Sequence, residues 1–244
     1  SRMKLPSIDQ ILHALSRTFR RFPLVIINAA CGTAAALVLV DHEGPPQPTV
    51  LFKILLTAIL DIPLLTGLAL MAEKRKLGRL TALGVQGFGV LLLVGYAFTV
   101  PSELSGAPAI HIIRLIVLAV ALHAFVAVAP FTARGELVGF WYYNKSLLLR
   151  FLTSFLFSGV LFAGLAFALA ALDNLFGIHV PERRYLELWV SVAGLFSTWF
   201  FLAGAPEDLD ALNTADDYPK ALKIFAQYIL LPLVLVYVVI LYAY

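Results

Sequence analysis

Charge is what this sequence has least of. Only 14% of its 244 residues are Asp, Glu, Lys or Arg, against roughly 25% in a soluble domain. Hydrophobic residues make up 61% of the chain, and its mean hydropathy is +0.89. This composition excludes a disordered chain, a basic nucleic-acid arm and an ordinary water-soluble enzyme. Cysteine is nearly absent as well. The single Cys31 allows neither an intramolecular disulfide nor a cysteine metal cluster, and its apolar surroundings predict a small buried thiol. Catalytic signatures are missing too: the sequence has no nucleophile elbow, no His-Glu-x-x-His, no phosphate loop and no clustered metal ligands. No catalytic residue, metal or cofactor is therefore assigned. A net charge of +3 does not call for a nucleic-acid partner.

What the chain has is apolar length. Seven runs, at residues 22–40, 50–72, 80–100, 109–131, 147–172, 185–205 and 224–244, each approach the roughly 20 residues that a bilayer core demands. Turn-rich or charged links separate them: DHEGPPQPT, EKRKLGR, PSELSGAP and DNLFGIHVPERR. Strands of a membrane β-barrel would be half as long and two-periodic. The expected fold is all-α, a polytopic membrane bundle of seven transmembrane helices. The first run is too long for a signal peptide, and no cleavage site follows it.

Before the first span, residues 7–21 read SIDQILHALSRTFRR. Ile8, Ile11, Leu12, Leu15 and Phe19 share one helical side, while Asp9, Gln10, His13, Arg17 and Arg20 take the other. Ser7 and Gln10 form a capping box. A basic amphipathic helix beside a span is expected to lie in the membrane interface, with its arginines near anionic lipid headgroups. The alternative is a helix packed on the protein itself. The organisation is thus an interfacial segment over 1–21 and a transmembrane domain over 22–244.

Lysine and arginine give the orientation. One set of alternate links holds Arg17, Arg20, Arg21, Lys74, Arg75, Lys76, Arg79, Arg134, Lys145, Arg150, Lys220 and Lys223, while the opposite set holds only Arg183 and Arg184. The positive-inside rule then puts the N-terminus in the cytoplasm and Tyr244 on the far side. Trp141, Tyr142 and Tyr143 on one side, and Tyr185 and Trp189 on the other, fall where an interfacial aromatic belt would lie. Because the last span ends without a flanking charge, the chain is expected to be truncated at its C-terminus.

A few residues would be costly in lipid. Asp61 falls near mid-depth of the second span, where a charged acid costs roughly 2.5–3.5 kcal/mol. Pro63, two residues later, frees the carbonyl of Ile59. An acid beside a freed carbonyl is a candidate proton or cation site. The competing reading is a protonated Asp61 bonded to a neighbouring helix. His123 on the fourth span lies at similar depth and could relay protons with Asp61. His111 and Arg114 share a face nearer the outer surface and could meet a phosphate, or form a solvated rim. Asn28, Gln86 and Gln227 can bond across helices, while Gly84, Gly87 and Gly89 and the series Gly159, Ala163, Gly164, Ala168 mark expected packing faces. The acidic link at 206–223 could bind a protein partner or a cation, or pair with Arg134, Lys145 or Arg150.

The stretches FWYYNKSLLLRFLTSFLFSGVLFAGLAFALAALDNLFGI, GLFSTWFFLAGAPEDLDAL and YPKALKIFAQYILLPLVLVYVVILYAY resemble the domain-of-unknown-function 4153 family. KLPSIDQILHALSRTFRRFP and AILDIPLLTGLALMAEKRKL resemble the same pattern. The resemblance implies a bacterial, Bacteroidetes-type multi-pass protein of the inner membrane whose relatives extend beyond this chain. It brings no activity and no catalytic residues. Function is expected to be non-enzymatic. One form is a transporter-like core with Asp61 as its mid-membrane acid. The other is an anchor, sensor or scaffold subunit working through partners or a further C-terminal region. An enzyme acting on lipid-linked substrates through His111, Arg114 and Glu187 is the third and weakest class.

Overall fold

The computed structural model describes residues 8–42, 49–101, 108–133, 135–177 and 179–214, side chains from Leu12 onward, and isolated positions beyond. Among them every regular element is helical. The order is α1 (Ile8–Arg21), α2 (Pro23–Asp41), α3 (Thr49–Lys74), α4 (Arg79–Thr99), α5 (Ala109–Val128), α6 (Leu137–Phe176) and α7 (Glu182–Ser191). A π-helical turn (Val192–Phe196), α8 (Ser197–Ala203) and a 3-10 turn (Ala211–Thr214) follow. The chain divides into two units, Ser1–Asn213 and Thr214–Tyr244. In the second, Leu235, Val238 and Tyr242 are helical and exposed. The seventh expected span, at 224–244, otherwise lies outside the described residues.

Among the described residues, six segments are long and apolar enough to cross a membrane: the five helices α2 to α6 and the run Glu182–Ala203. Five of them begin or end within a few residues of the expected runs. The exception is α6, which starts ten residues before the expected 147. At 40 residues and about 1.5 Å per residue it is roughly 60 Å long, twice a hydrocarbon core. The extra turns cap a neighbour. The last carbonyls of a helix have no intrahelical partner, and those of α5 are met here by Tyr143 Oη, which donates to Val126 O at 2.8 Å, and Asn144 Nδ2, which donates to Ala127 O at 3.0 Å. Tyr143 is accordingly 0% exposed. It belongs to the core and not to an aromatic belt, whereas Trp141 is exposed.

α3 is the central helix, packed on α2, α4 and α5. Small residues set the closeness of α2 and α3. A Cβ on Gly32 would come within 2.6 Å of Ala58 Cβ, and Asn28 Nδ2, one turn away, donates to Ala58 O at 2.8 Å. The packed side of α2 is Ala29, Gly32, Thr33 and Ala36. Cys31 therefore points away and is exposed, contrary to the expected buried thiol. The hydrophobic core cluster includes Phe22, Val25, Leu65, Leu70, Phe131, Tyr143 and Leu202. It sits toward the end of the bundle where α3, α5 and α8 finish and α4 and α6 begin, termed here the basic end.

Elsewhere α4, α5 and α6 expose large apolar side chains, among them Phe88, Leu91, Phe98, Ile116, Val120, Phe155 and Phe167. Faces of this extent are stable against lipid, not water. Gly89 does pack, against Leu64 and Leu68, but Gly84, Gly87, Gly159 and Gly164 meet nothing within 4 Å. Those four are therefore not packing sites among the described residues, because the surfaces carrying them are uncovered there.

Substitution separates the two kinds of glycine. Gly32→Ala forces α2 off the Ala58 methyl group and should lower stability by about 1–3 kcal/mol. Gly159→Ala, in open surroundings within α6, should be neutral or gain up to about 1 kcal/mol. Thermal unfolding in detergent checks both.

Candidate functional site

Two polar regions stand out, one at mid-depth and one at the basic end. At mid-depth, Asp61 lies near the midpoint of α3, 1% exposed, and its Oδ1 has no hydrogen-bond partner. Pro63, inside the same helix, removes the N–H that would have met Ile59 O. Near the midpoint of α2, Thr33 Oγ1 is likewise buried without a partner. The midpoint of the span Glu182–Ala203 is the π-helical turn Val192–Phe196. That turn packs on α2, with Gly194 against Thr33 so closely that a Cβ there would lie 2.3 Å from Oγ1. α2 is thus flanked by two irregular helices, with its own hydroxyl and the α3 carboxyl both lacking partners near the helix midpoints. The sequence readily shows Pro63. It hides the π turn, whose VAGLF looks like any apolar helix, and Thr33 draws attention only once that turn is seen. π turns inside longer helices are frequent at functional sites.

The other expected residues are not gathered there. His123 is exposed, and its Nδ1 lies 2.8 Å from Ala119 O of its own helix. No hydrogen bond joins it to Asp61 Oδ1, which has no partner. Arg114 is exposed and His111 half-buried near the start of α5. Glu187 receives Arg184 Nη1 at 2.7 Å on its own helix. Gln86 donates to Ala82 O within α4 and not across helices, and Gln227 lies outside the described residues.

At the basic end, ionic contacts join segments far apart in sequence. Arg21 grips Glu73 bidentately, Nε to Oε1 at 2.8 Å and Nη2 to Oε2 at 2.7 Å, and also donates to the carbonyls of Ala205 and Pro206. This fork geometry is the strong form of an ion pair. Lys74, its side chain 8% exposed, lies 3.0 Å from Glu136 and 2.8 Å from Asp210, and sits 4.7 Å above the Phe131 ring. Lys76 reaches Asp210 at 3.2 Å and Arg17 reaches Glu207 at 3.0 Å. Asn213 Oδ1 accepts the Gly139 N–H in the first turn of α6. Arg150 donates to the carbonyls of Phe200 and Phe201 at the end of α8, where a cation suits the helix dipole. Of the described acids of the 206–223 link, Glu207 therefore pairs with Arg17 and Asp210 with Lys74 and Lys76, Asp208 Oδ1 accepts the N–H groups of Asp210 and Ala211, and Arg150 serves α8 instead. The remainder of that link, and Arg134, lie outside the described residues.

All of this defines a multi-pass, all-helical membrane protein with a polar lock at one end and a sparse polar layer at mid-depth. The chain belongs to the family described as a domain of unknown function (DUF4153), whose model matches residues 62–244. The match begins one residue after Asp61, so α1, α2 and the acid itself precede it. No curated protein and no solved structure matches the chain.

The hydrogen bonds and charges of Lys74 and Lys76 hold the Asp210 carboxyl below the usual carboxylate range. The unfolded chain then binds the proton more readily, so this contribution to stability is present above the unfolded Asp value and fades as pH falls through the lower folded value. The stability gap between the wild type and Asp210→Asn should accordingly be steady near neutrality and close as pH drops from about 4 downward. Denaturation curves across that range measure it.

Proposed function

We propose that this chain is a transporter-like, proton-binding core of a bacterial inner membrane, with Asp61 as the group that takes the proton and the basic end facing the cytoplasm. One observation carries the reading: a buried carboxyl oxygen without a partner at mid-depth of the central helix, beside Pro63 and close in level to the α2–π-turn contact. A bare carboxylate in such surroundings is expensive, whereas the neutral acid is tolerable. Loading and unloading a proton would therefore change the balance of forces on α3, where the helix is already one hydrogen bond short. Discontinuous helices at the midplane are the usual setting of coupling-ion sites. The Thr33 hydroxyl is a second oxygen there, available to a cation or as a hydrogen-bonding group. The orientation rests on the lysine and arginine asymmetry.

The anchor or scaffold reading has its own support. α1 exposes Leu12, Leu15 and Phe19 while Arg21 ties its end to Glu73, as expected of a helix pinned to the bundle and resting in the interface. The two readings part at Asp61. In proteoliposomes enclosing a pH-sensitive dye, an imposed potential should drive proton uptake through the wild-type protein. Asp61→Asn should reduce it to near the level of protein-free vesicles, and Arg114→Gln should leave it unchanged. Equal uptake by wild type and Asp61→Asn, or none by an intact wild-type preparation, overturns the proton-binding core and leaves the anchor.

A further inference from the structure

A different feature of the molecule lies at the basic end, where two adjoining cavities of about 250 and 350 Å³ share Arg21 and Glu207. The smaller is lined by Arg17, Thr18 and Leu202, the larger by Lys76, Ala72 and Gln86 among others. Gln86 is 5% exposed; its Nε2 is spent on Ala82 O, and its Oε1 has no partner. A buried acceptor without a donor costs free energy, and a ligand N–H or O–H would relieve it. The fixed charge nearby is committed, since Arg21 is locked to Glu73. Arg17 and Lys76 are different. Their side chains are 67% and 80% exposed, and their partners Glu207 and Asp210 are 62% and 55% exposed. Such pairs are weak and can be exchanged for another anion. α1 borders the cavities and presents Leu12, Leu15 and Phe19 outward, the pattern of a helix resting at the level of lipid headgroups.

We propose that these cavities form a phospholipid headgroup site, with Arg17 and Lys76 on the phosphate and Gln86 Oε1 accepting from a donor beyond it, the ammonium of ethanolamine or a hydroxyl of glycerol. The small apolar wall of Ala72 and Leu202 takes the start of the lipid backbone. The site discriminates by the donor: choline carries the same phosphate but no N–H, so it leaves Gln86 unsatisfied.

The test is retention of short-chain lipids by the detergent-solubilised full chain, read by native mass spectrometry. Phosphatidylethanolamine and phosphatidylglycerol should be held about fivefold more tightly than phosphatidylcholine, the equivalent of one hydrogen bond. Gln86→Leu should erase that preference. Lys76→Ser, at an exposed position that does not threaten folding, should weaken all three lipids while keeping their order. Equal retention of the choline and ethanolamine lipids by the wild type overturns the proposal, as does a preference that survives in folded Gln86→Leu. Soluble phosphoethanolamine competing as well as the lipid overturns the assignment to a lipid.

Discussion

The end of α3 is where this bundle is tied together. Glu73 and Lys74 are neighbours in sequence, and each draws in separate parts of the chain. Glu73 holds Arg21 of α1, which in turn holds the carbonyls that follow α8. Lys74 holds Glu136 before α6 and Asp210 beyond α8. Helices in lipid gain little from hydrophobic sorting against one another, because the tails are as apolar as their side chains. Register and neighbour choice then fall to polar contacts and close packing. Here the polar contacts gather at the charged rim, and the close packing follows the small side of α2 against α3. The core cluster lies beside that rim, and the opposite reaches of α4, α5 and α6 are uncovered among the described residues.

With one end tied, mid-depth is where the structure is least regular. A proline in α3 and a π turn before α8 both fall near it, and the π turn packs on α2. Neither irregularity is repaired by a side-chain bond to the orphaned oxygens of Asp61 or Thr33. A polar atom kept in that condition in a membrane interior costs free energy that a leucine would not. Its presence beside two weakened helices is what ties Asp61 to function in the reading adopted here. The sequence alone already ranks Asp61 first on grounds of depth, and offers His123 as one possible proton-relay partner at similar depth. Depth is a one-dimensional quantity, and it does not tell that the His123 ring is exposed and lies against Ala119 O of its own helix.

The same distinction runs through the other differences. Tyr143 looks like a belt residue from its place before an apolar run, yet it lies at the heart of the core, because α6 begins ten residues early to close the end of α5. The glycines of α6 look like a packing stripe, but nothing described covers them. The acids of the link after α8 look able to pair with several cations, and the choice of Lys74, Lys76 and Arg17 follows from which helix ends meet.

The sequence by itself determined that the chain is helical, that its spans are apolar enough for a bilayer, roughly where they start and stop, and that one set of links carries nearly all the positive charge. Those are properties of single segments, set by side-chain transfer energies and backbone hydrogen bonding within each helix. Only the tertiary structure decided which oxygens stay unpaired, which cations lock to which acids, and that a π turn meets Thr33. Such facts depend on rotation about helix axes and on contacts between residues up to 185 positions apart, and hydropathy along a chain carries no record of either.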